Sequence, residues 1–155
     1  MTKSQHPYRV GHSTNSAIVH MNDEWFKEMD NKRIVGTVML EFSVAFDIID
    51  HALLIGKLRC YRFADTALSW MESYLSGRKQ RVFFNGSLSV SKDVLCGVPQ
   101  GSCLGPLLFS TFTNDLPYVL EQTKVVKYAD HPTMFCAAST CNELTEVLCK
   151  ELQTV

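Results

Sequence analysis

No segment of the sequence stays apolar for long. Within its 155 residues, no run approaches the roughly 20 consecutive apolar residues that a membrane-spanning helix requires, so we expect a soluble protein or a piece of one. Residues 1–7 lack the apolar core of a secretory signal peptide. We therefore predict an intracellular location, in the cytoplasm or the nucleus, and no membrane partner.

An excess of charge of one sign is also missing. The 15 Lys and Arg residues nearly balance the 16 Asp and Glu residues, which gives a net charge of −1. The overall field therefore does not attract nucleic acid, and any contact with it has to be local. The six cysteines contain no Cys-x-x-Cys pair, and no histidine spacing completes a zinc site, which indicates reduced intracellular thiols.

The sequence does contain enough apolar side chains for a folded core. Hydrophobic residues make up 46% of the chain, and no repeat or linker interrupts it, so we predict a single domain. Apolar residues recur at helical spacing in five stretches. The corresponding helices are predicted to begin at Ser13 or Thr14, His51, Asp65, Ser102 or Gly105, and Thr140. The first of them is predicted to pack through Ile18, Met21, Trp25 and Met29.

An acidic segment follows the first predicted strand. Residues 34–40 form a near-continuous apolar run, which predicts a strand buried on both faces. Glu41 comes directly after it, and Asp47 follows six positions later. Ligands in layered α/β structures tend to bind beyond the carboxyl ends of strands, so these acids are candidates for ligand binding.

A further acidic residue lies in Tyr128-Ala129-Asp130-His131, between the apolar runs 125–126 and 134–136. This pattern predicts two strands joined by a tight turn with Asp130 at its tip. Such a tip can hold a carboxylate beside a ligand on rigid flanks. Asp is also common in turns because it accepts local backbone hydrogen bonds, so both explanations stay open.

Two other segments are candidates for contact with nucleic acid or nucleotide. Arg78, Lys79 and Arg81 lie beside aromatic residues and before the hairpin-forming pair Asn85-Gly86. These cations can hold a phosphate backbone, although a solvated turn explains them equally well. Residues 97–106 contain three glycines and two prolines, so this loop either lets backbone approach a ligand closely or forms a structural turn.

Taken in order along the chain, several motifs resemble those of a reverse transcriptase. The similarity is greatest to the RNA-directed DNA polymerases of non-long-terminal-repeat (LINE-type) retrotransposons. It covers residues 5–155, and separate motifs occur at the expected spacing, which makes the resemblance specific. The matching segments are 5–9, 11–14, 40–47, 97–109, 114–117 and 128–131.

The resemblance implies an α+β fold: the palm and partial fingers of a right-hand polymerase, in which an antiparallel sheet bears the acids and helices pack behind it. Within the single domain, 1–155, it assigns 5–33 to partial fingers and 34–155 to the palm, with the thumb absent. Members of the family bind an RNA template, a DNA primer and deoxynucleoside triphosphates, and they use two Mg²⁺ ions. The sequence predicts no particular oligomeric state.

The resemblance also implies roles for individual residues. The catalytic positions are Glu41, where the family has Asp, Asp130, and His131, which replaces a second Asp. The implied metal ligands are Glu41, the backbone carbonyl of Phe42, and Asp130. The implied nucleotide contacts are Phe42, Phe46, Gln100 and Gly101. The implied template and primer contacts are Arg9, Arg78, Lys79 and Arg81.

Two of these residues depart from the family pattern. Glu41 is one methylene longer than Asp, which displaces its carboxylate by about 1 Å, and a misplacement of that size can cost on the order of 10²-fold in rate. His131 brings an imidazole, whereas Mg²⁺ requires oxygen ligands. We therefore expect a reverse transcriptase domain that is catalytically impaired or inactive. The alternative is a non-enzymatic remnant of the palm that binds nucleic acid or a protein.

Two further interpretations concern neighbouring residues. Asp47 and Asp50 flank the first acidic motif, and we interpret them as structural rather than metal-binding. His131 with Asp130 and the thiol of Cys136 is a minor alternative site for a softer metal ion.

Overall fold

The fold is taken from a computed structural model, which describes residues 11, 13–42, 44–128 and 130–154. The chain divides into two compact units, Met1–Ser43 with Thr113–Val155 and Val44–Phe112, which we describe separately. Arg9, a predicted template contact, lies outside the described residues. Over the described part of the chain, no helix is long and apolar enough to cross a membrane.

The described chain contains both helices and antiparallel strands, which confirms the predicted mixture of helix and antiparallel sheet. The helices are α1 (Thr14–Asp30), α2 (His51–Cys60), α3 (Asp65–Leu75), α4 (Gly105–Phe112), α5 (Leu116–Val119) and α6 (Cys141–Leu152). The strands are β1 (Ile34–Met39), β2 (Lys79–Gln80), β3 (Phe83–Phe84), β4 (Ser87–Leu88), β5 (Lys92–Asp93), β6 (Lys124–Tyr128) and β7 (His131–Ala138).

The first unit is built on a sheet of order β1-β7-β6, with antiparallel pairing on both sides of β7. The predicted tight hairpin is confirmed, since Tyr128 pairs with His131 across the turn. The prediction that the first strand is buried on both faces is wrong, because no residue of β1 is fully buried and Met39 is 77% exposed. Among the described strands, β1 pairs only with β7. An apolar run predicts a strand but does not reveal whether that strand lies at an edge.

Helix α1 begins where the sequence predicted, at a capping box formed by two serines. The backbone N–H of Ser16 donates to Ser13 Oγ (3.2 Å), and the N–H of Ser13 donates to Ser16 Oγ (2.8 Å). These bonds satisfy donors that a helix otherwise leaves open at its first turn. The local cap therefore defines the start of the helix.

The face of α1 that packs on the sheet agrees with the predicted one at Met21 and Trp25 and differs at the other two positions. Ala17 is buried against Val126 and Phe135, and Met21 and Trp25 pack against the same cluster. The ring of Trp25 meets the ring of Phe135 edge-on, with centroids 6.1 Å apart. The predicted face also included two residues that are exposed in the structure, Ile18 and Met29.

Helix α6 covers the opposite face of the sheet. Leu144 packs with Cys136 and Ala138 of β7, whereas Phe135 packs with α1. Neighbouring residues of a strand point to opposite faces, so α1 and α6 lie on opposite sides. The N-cap prediction for α6 is confirmed, because Thr140 Oγ1 accepts a hydrogen bond from the N–H of Glu143.

A charged cluster joins α1 to β6 and gives the first unit a pH-dependent contact. Hydrogen bonds from Lys124 and then Lys27 hold the pKa of the Glu24 carboxyl at about 2, below its ordinary value of 4.5. Because the folded protein binds this proton more weakly than the unfolded chain, the stabilisation is complete above about pH 4.5 and is lost as the pH falls towards 2.

Glu24→Gln is therefore expected to lower the free energy of unfolding by about 1 kcal/mol at pH 7, a modest value because both lysines are largely exposed. The free energy of unfolding of the variant should also fall less steeply between pH 4.5 and 2 than that of the unaltered protein. Urea denaturation followed by circular dichroism across this range measures both effects. Asp23→Asn, an exposed neighbour on α1, is the control. A Glu24→Gln curve parallel to that of the unaltered protein would contradict this prediction.

The second unit packs α2 against α3 and α4. Leu54 and Leu58 of α2, Leu68 and Leu75 of α3, and Leu108 of α4 are fully buried. The short strands lie outside this helical core, where β2 pairs with β5 and β3 pairs with β4. The predicted Asn85-Gly86 turn is confirmed, since both residues have positive φ (52° and 80°), as a two-residue hairpin of this kind requires.

Candidate functional site

In the first unit, the carboxyl end of β1 runs beside the tip of the β6–β7 hairpin. The backbone N–H of Leu40 donates to the carbonyl of Pro132 (2.9 Å), one step beyond the last ladder pair, Met39 with Thr133. The chain therefore reaches Glu41 next to the hairpin tip. The antiparallel pairing of β1 with β7 is what brings residues so far apart in sequence into one neighbourhood.

The tip itself presents Asp130 and His131. Asp130 is partly buried and His131 is exposed. Asp130 Oδ1 lies 3.6 Å from His131 Nε2, which is longer than a hydrogen bond and amounts to an ion pair only when the imidazole is protonated. The imidazole therefore brings no negative charge to the tip and adds positive charge when it is protonated.

The side chains at this tip do not fit a pair of magnesium ions. Among the residues that the structure describes, no three His, Cys, Asp or Glu side chains are grouped so that they could hold a metal ion. Two Mg²⁺ ions need several oxygen ligands from neighbouring elements, whereas the side chain beside Asp130 is the imidazole of His131.

The minor alternative of a softer metal held with Cys136 is wrong. Cys136 lies five positions after His131 along β7, which corresponds to about 16 Å. The odd spacing also places the two side chains on opposite faces of the strand. Burial, moreover, raises the pKa of the Cys136 thiol, so the thiolate that metal binding needs is disfavoured.

In the second unit, two segments that are far apart in sequence are joined by backbone hydrogen bonds. The N–H of Gly97 donates to the carbonyl of Ile49, and the N–H of Val98 donates to the carbonyl of Phe46, both at 2.8 Å. His51 Nε2 also lies 2.8 Å from the carbonyl oxygen of Gly97. The acidic motif and the glycine-proline loop therefore hold each other in place.

Gly97 shows why this junction needs glycine. Its φ is +81°, and a Cβ at this position would lie 2.7 Å from the Cα and the carbonyl oxygen of Asp47. The sequence had left open whether the loop is a structural turn or approaches a ligand. At Gly97 the close approach is to the protein's own backbone. At Gly101, which also has a positive φ, a Cβ would have no described atom within 4 Å.

A side-chain bond that the sequence did not predict joins the same two segments. Gln100 Nε2 donates to both carboxylate oxygens of Asp47, each at 2.9 Å. No sequence pattern pairs residues 53 positions apart, so only the structure reveals this contact. Asp50 accepts from the N–H of Leu53 (2.8 Å) and caps α2, in agreement with its structural interpretation.

Phe46, a predicted nucleotide contact, is held by packing. Its ring lies 4.9 Å from the ring of Phe109, with the two planes 39° apart. Phe109 belongs to α4 and is buried. Phe46 itself is only partly buried, so its ring is oriented from one side and accessible from the other.

A cavity of about 620 Å³ in the second unit brings two other predicted contacts together. Arg78 and Gln100 both line it, with Asp47, Gln80 and Asp93. Arg78 Nη1 is buried and has no hydrogen-bond partner within the described residues. Lys79 and Arg81 are exposed outside it.

Comparison with known sequences identifies the family. The family described as reverse transcriptase (RNA-dependent DNA polymerase) matches residues 1–154. The chain belongs to the reverse transcriptase family. Its relatives are polymerases of non-long-terminal-repeat retrotransposons, which confirms the predicted resemblance.

Two relatives show the extent of this similarity. The chain is 32% identical over 158 residues to a probable RNA-directed DNA polymerase from transposon BS of Drosophila melanogaster. It is 28% identical over 153 residues to the RNA-directed DNA polymerase from mobile element jockey of Drosophila funebris. These alignments cover 97% and 94% of this reverse transcriptase chain, but only 17% of each relative.

Reverse transcriptases as a family use divalent metal ions, a nucleic acid template and nucleotide substrates. The residues predicted for these roles in this reverse transcriptase domain fall into two groups. Glu41, Phe42, Asp130 and His131 belong to the first unit. Phe46, Gln100, Gly101, Arg78, Lys79 and Arg81 belong to the second unit.

Proposed function

We propose that this chain is a reverse transcriptase palm with part of the fingers, descended from an RNA-directed DNA polymerase, and that it does not catalyse DNA synthesis efficiently. In this proposal residues 5–33 are partial fingers and 34–155 palm. The observation that supports it is the hairpin tip, where His131 lies beside Asp130 and, among the described residues, no three His, Cys, Asp or Glu side chains are grouped so that they could hold a metal ion.

Chemical principles explain why this donor set is inadequate. Nucleotidyl transfer with two magnesium ions needs enough negative charge to hold both cations about 3.5 to 4 Å apart. Replacing a carboxylate by an imidazole removes one negative charge and two oxygen ligands. The extra methylene of Glu41 also shifts the remaining carboxylate by about 1 Å. Both changes act on the same site and in the same direction.

The contacts to nucleotide and template are proposed to lie in the second unit, with RNA template and DNA primer as partners. Arg78 and Gln100 both line the cavity of this unit. A guanidinium presents paired donors to phosphate oxygens. The alternative, a non-enzymatic remnant that binds nucleic acid, draws on this same feature, because it needs no metal ligands.

The double variant Glu41→Asp/His131→Asp is expected to extend a DNA primer on an RNA template roughly tenfold faster than the unaltered chain, or more, because it restores both acids at the tip. Primer extension with deoxynucleoside triphosphates and Mg²⁺ or Mn²⁺ measures the rate. Adding Asp130→Asn to the double variant is the control and should abolish the gain. Robust extension by the unaltered chain would overturn the proposal.

A second measurement separates ligand loss from other defects. His131→Asp alone should bind Mn²⁺ about tenfold more tightly, as followed by electron paramagnetic resonance of the free ion, since it adds a carboxylate beside Asp130. His131→Asn, which adds no charge, is the matched control. If the carboxylate changes neither Mn²⁺ affinity nor the extension rate, the tip is not the origin of the defect.

A further inference from the structure

The β3–β4 hairpin carries apolar side chains that the described residues do not cover. Phe83 is 69% exposed and Phe84 is 78% exposed, and Leu88 and Val90 are also exposed. Aromatic side chains usually bury a large area, and an exposed cluster of this kind marks an interaction surface. Neither the metal ligands nor the nucleotide contacts proposed above involve these residues.

A cation lies close in sequence to the exposed ring of Phe83. Phe83 lies opposite Leu88 in the ladder, and Ser89 N–H donates to the carbonyl of Val82 (2.9 Å), which extends the pairing beyond the assigned strands. Arg81 lies two positions before Phe83, so the two Cα atoms are at most about 7 Å apart. The long side chain of Arg81 can therefore act on the same ligand as the ring of Phe83.

Charge around the hairpin favours a polyanion. Residues 78–93 contain four cations, Arg78, Lys79, Arg81 and Lys92, and one acid, Asp93, for a net charge of +3 in a chain whose total is −1. Lys79 lies 3.7 Å from Asp93, with both side chains exposed, and residues 78–93 contain no second acid to balance the other three cations. A local positive field beside exposed rings is typical of surfaces that bind single-stranded nucleic acid.

We infer that Phe83 stacks an unpaired base of single-stranded RNA while Arg81 holds an adjoining phosphate. An unpaired base exposes a face to the ring, whereas a paired base inside a duplex is already stacked on its neighbours. A purely apolar partner would leave the cations without a counterpart. The inference rests on the proposed function in one respect only, namely that the second unit binds nucleic acid, and it is independent of catalysis.

Fluorescence anisotropy with a labelled single-stranded RNA of about 12 nucleotides tests this stacking. Phe83→Ala should weaken binding roughly tenfold, and Arg81→Gln should both weaken it and reduce the salt dependence by about one phosphate contact. Phe26→Ala, an exposed aromatic of the first unit, and Arg59→Gln, an exposed cation of α2, are matched controls that should change affinity less than twofold. Thermal melting establishes that each variant is folded.

A spectroscopic measurement distinguishes stacking from a structural effect. In a Trp70→Phe background, Phe83→Trp should retain RNA binding, and its fluorescence should be quenched on addition of the RNA. Absence of quenching, absence of RNA binding by the unaltered chain, or wild-type affinity in Phe83→Ala would each overturn the inference. Self-association that Phe83→Ala abolishes, with RNA affinity unchanged, would instead assign the hairpin to a protein interface.

The two proposals fail in different ways. Primer extension by the unaltered chain would overturn the loss of catalysis without affecting the assignment of Phe83. Unchanged RNA affinity in Phe83→Ala would overturn the stacking without affecting the conclusion about Glu41 and His131.

Discussion

Gly97→Ala is expected to lower the free energy of unfolding by roughly 3 kcal/mol or more, the largest single-residue effect we predict. The new Cβ would lie 2.7 Å from backbone atoms of Asp47, a distance that side-chain rotation cannot relieve. The φ of +81° adds strain for any residue with a Cβ. Chemical denaturation followed by circular dichroism measures the loss.

Gly101→Ala provides the matched control for this change. Gly101 has a similar φ of +73°, but a Cβ added there would have no described atom within 4 Å. The cost there should be that of the backbone conformation alone, about 1 kcal/mol. Equal losses in the two variants would show that the contact with Asp47 is unimportant.

In the Gly97→Ala variant, hydrogen exchange should also become faster at the backbone amides of residues 97 and 98, which donate hydrogen bonds to the acidic segment.

Glu151→Ala is expected to be the second most destabilising change, with a loss of about 3 kcal/mol. Glu151 lies on α6 and is only 3% exposed. Its carboxylate accepts hydrogen bonds from the N–H groups of Glu121 (3.1 Å) and Gln122 (3.2 Å) and from the hydroxyl of Thr123 (3.1 Å). Alanine would remove the acceptor of all three hydrogen bonds, which are partly or fully buried.

Glu146→Ala, on an exposed position of the same helix, serves as the control and should change stability by less than about 0.5 kcal/mol. Comparison of the two variants by urea denaturation removes any effect of helix propensity, because both replace Glu by Ala in α6. A loss at Glu151 no larger than that at Glu146 would contradict the assigned role of the carboxylate in anchoring the segment before β6.

The proposed loss of catalysis concerns the hairpin tip of the first unit. The family resemblance predicts an acid where His131 stands, and an imidazole is a poor ligand for Mg²⁺. In the second unit, Gly97 and Gln100 contact the acidic segment, and Arg78 lines a cavity. The proposal therefore places the defect at the predicted metal ligands rather than in the support of the glycine-proline loop.

Much of the candidate site was accessible from the sequence only through the family resemblance. The roles of Glu41, Asp130 and His131 were assigned in this way, and they remain predictions for the experiments above to test. The bond between Gln100 and Asp47 was not foreseen, since it joins side chains that no local pattern connects. The choice between a structural and a ligand-contacting role for Gly97 likewise required the position of Asp47.

The sequence by itself determined the local elements of this protein. The capping box of α1, the Asn85-Gly86 turn and the β6–β7 hairpin all follow from residues within a few positions of one another, whose conformational preferences act at short range. Tertiary structure alone decided that β1 lies at a sheet edge, that α1 packs through Ala17, and that Phe83 stays exposed. These outcomes depend on which distant segments pack together, and burial is a property of that packing rather than of any residue's own chemistry.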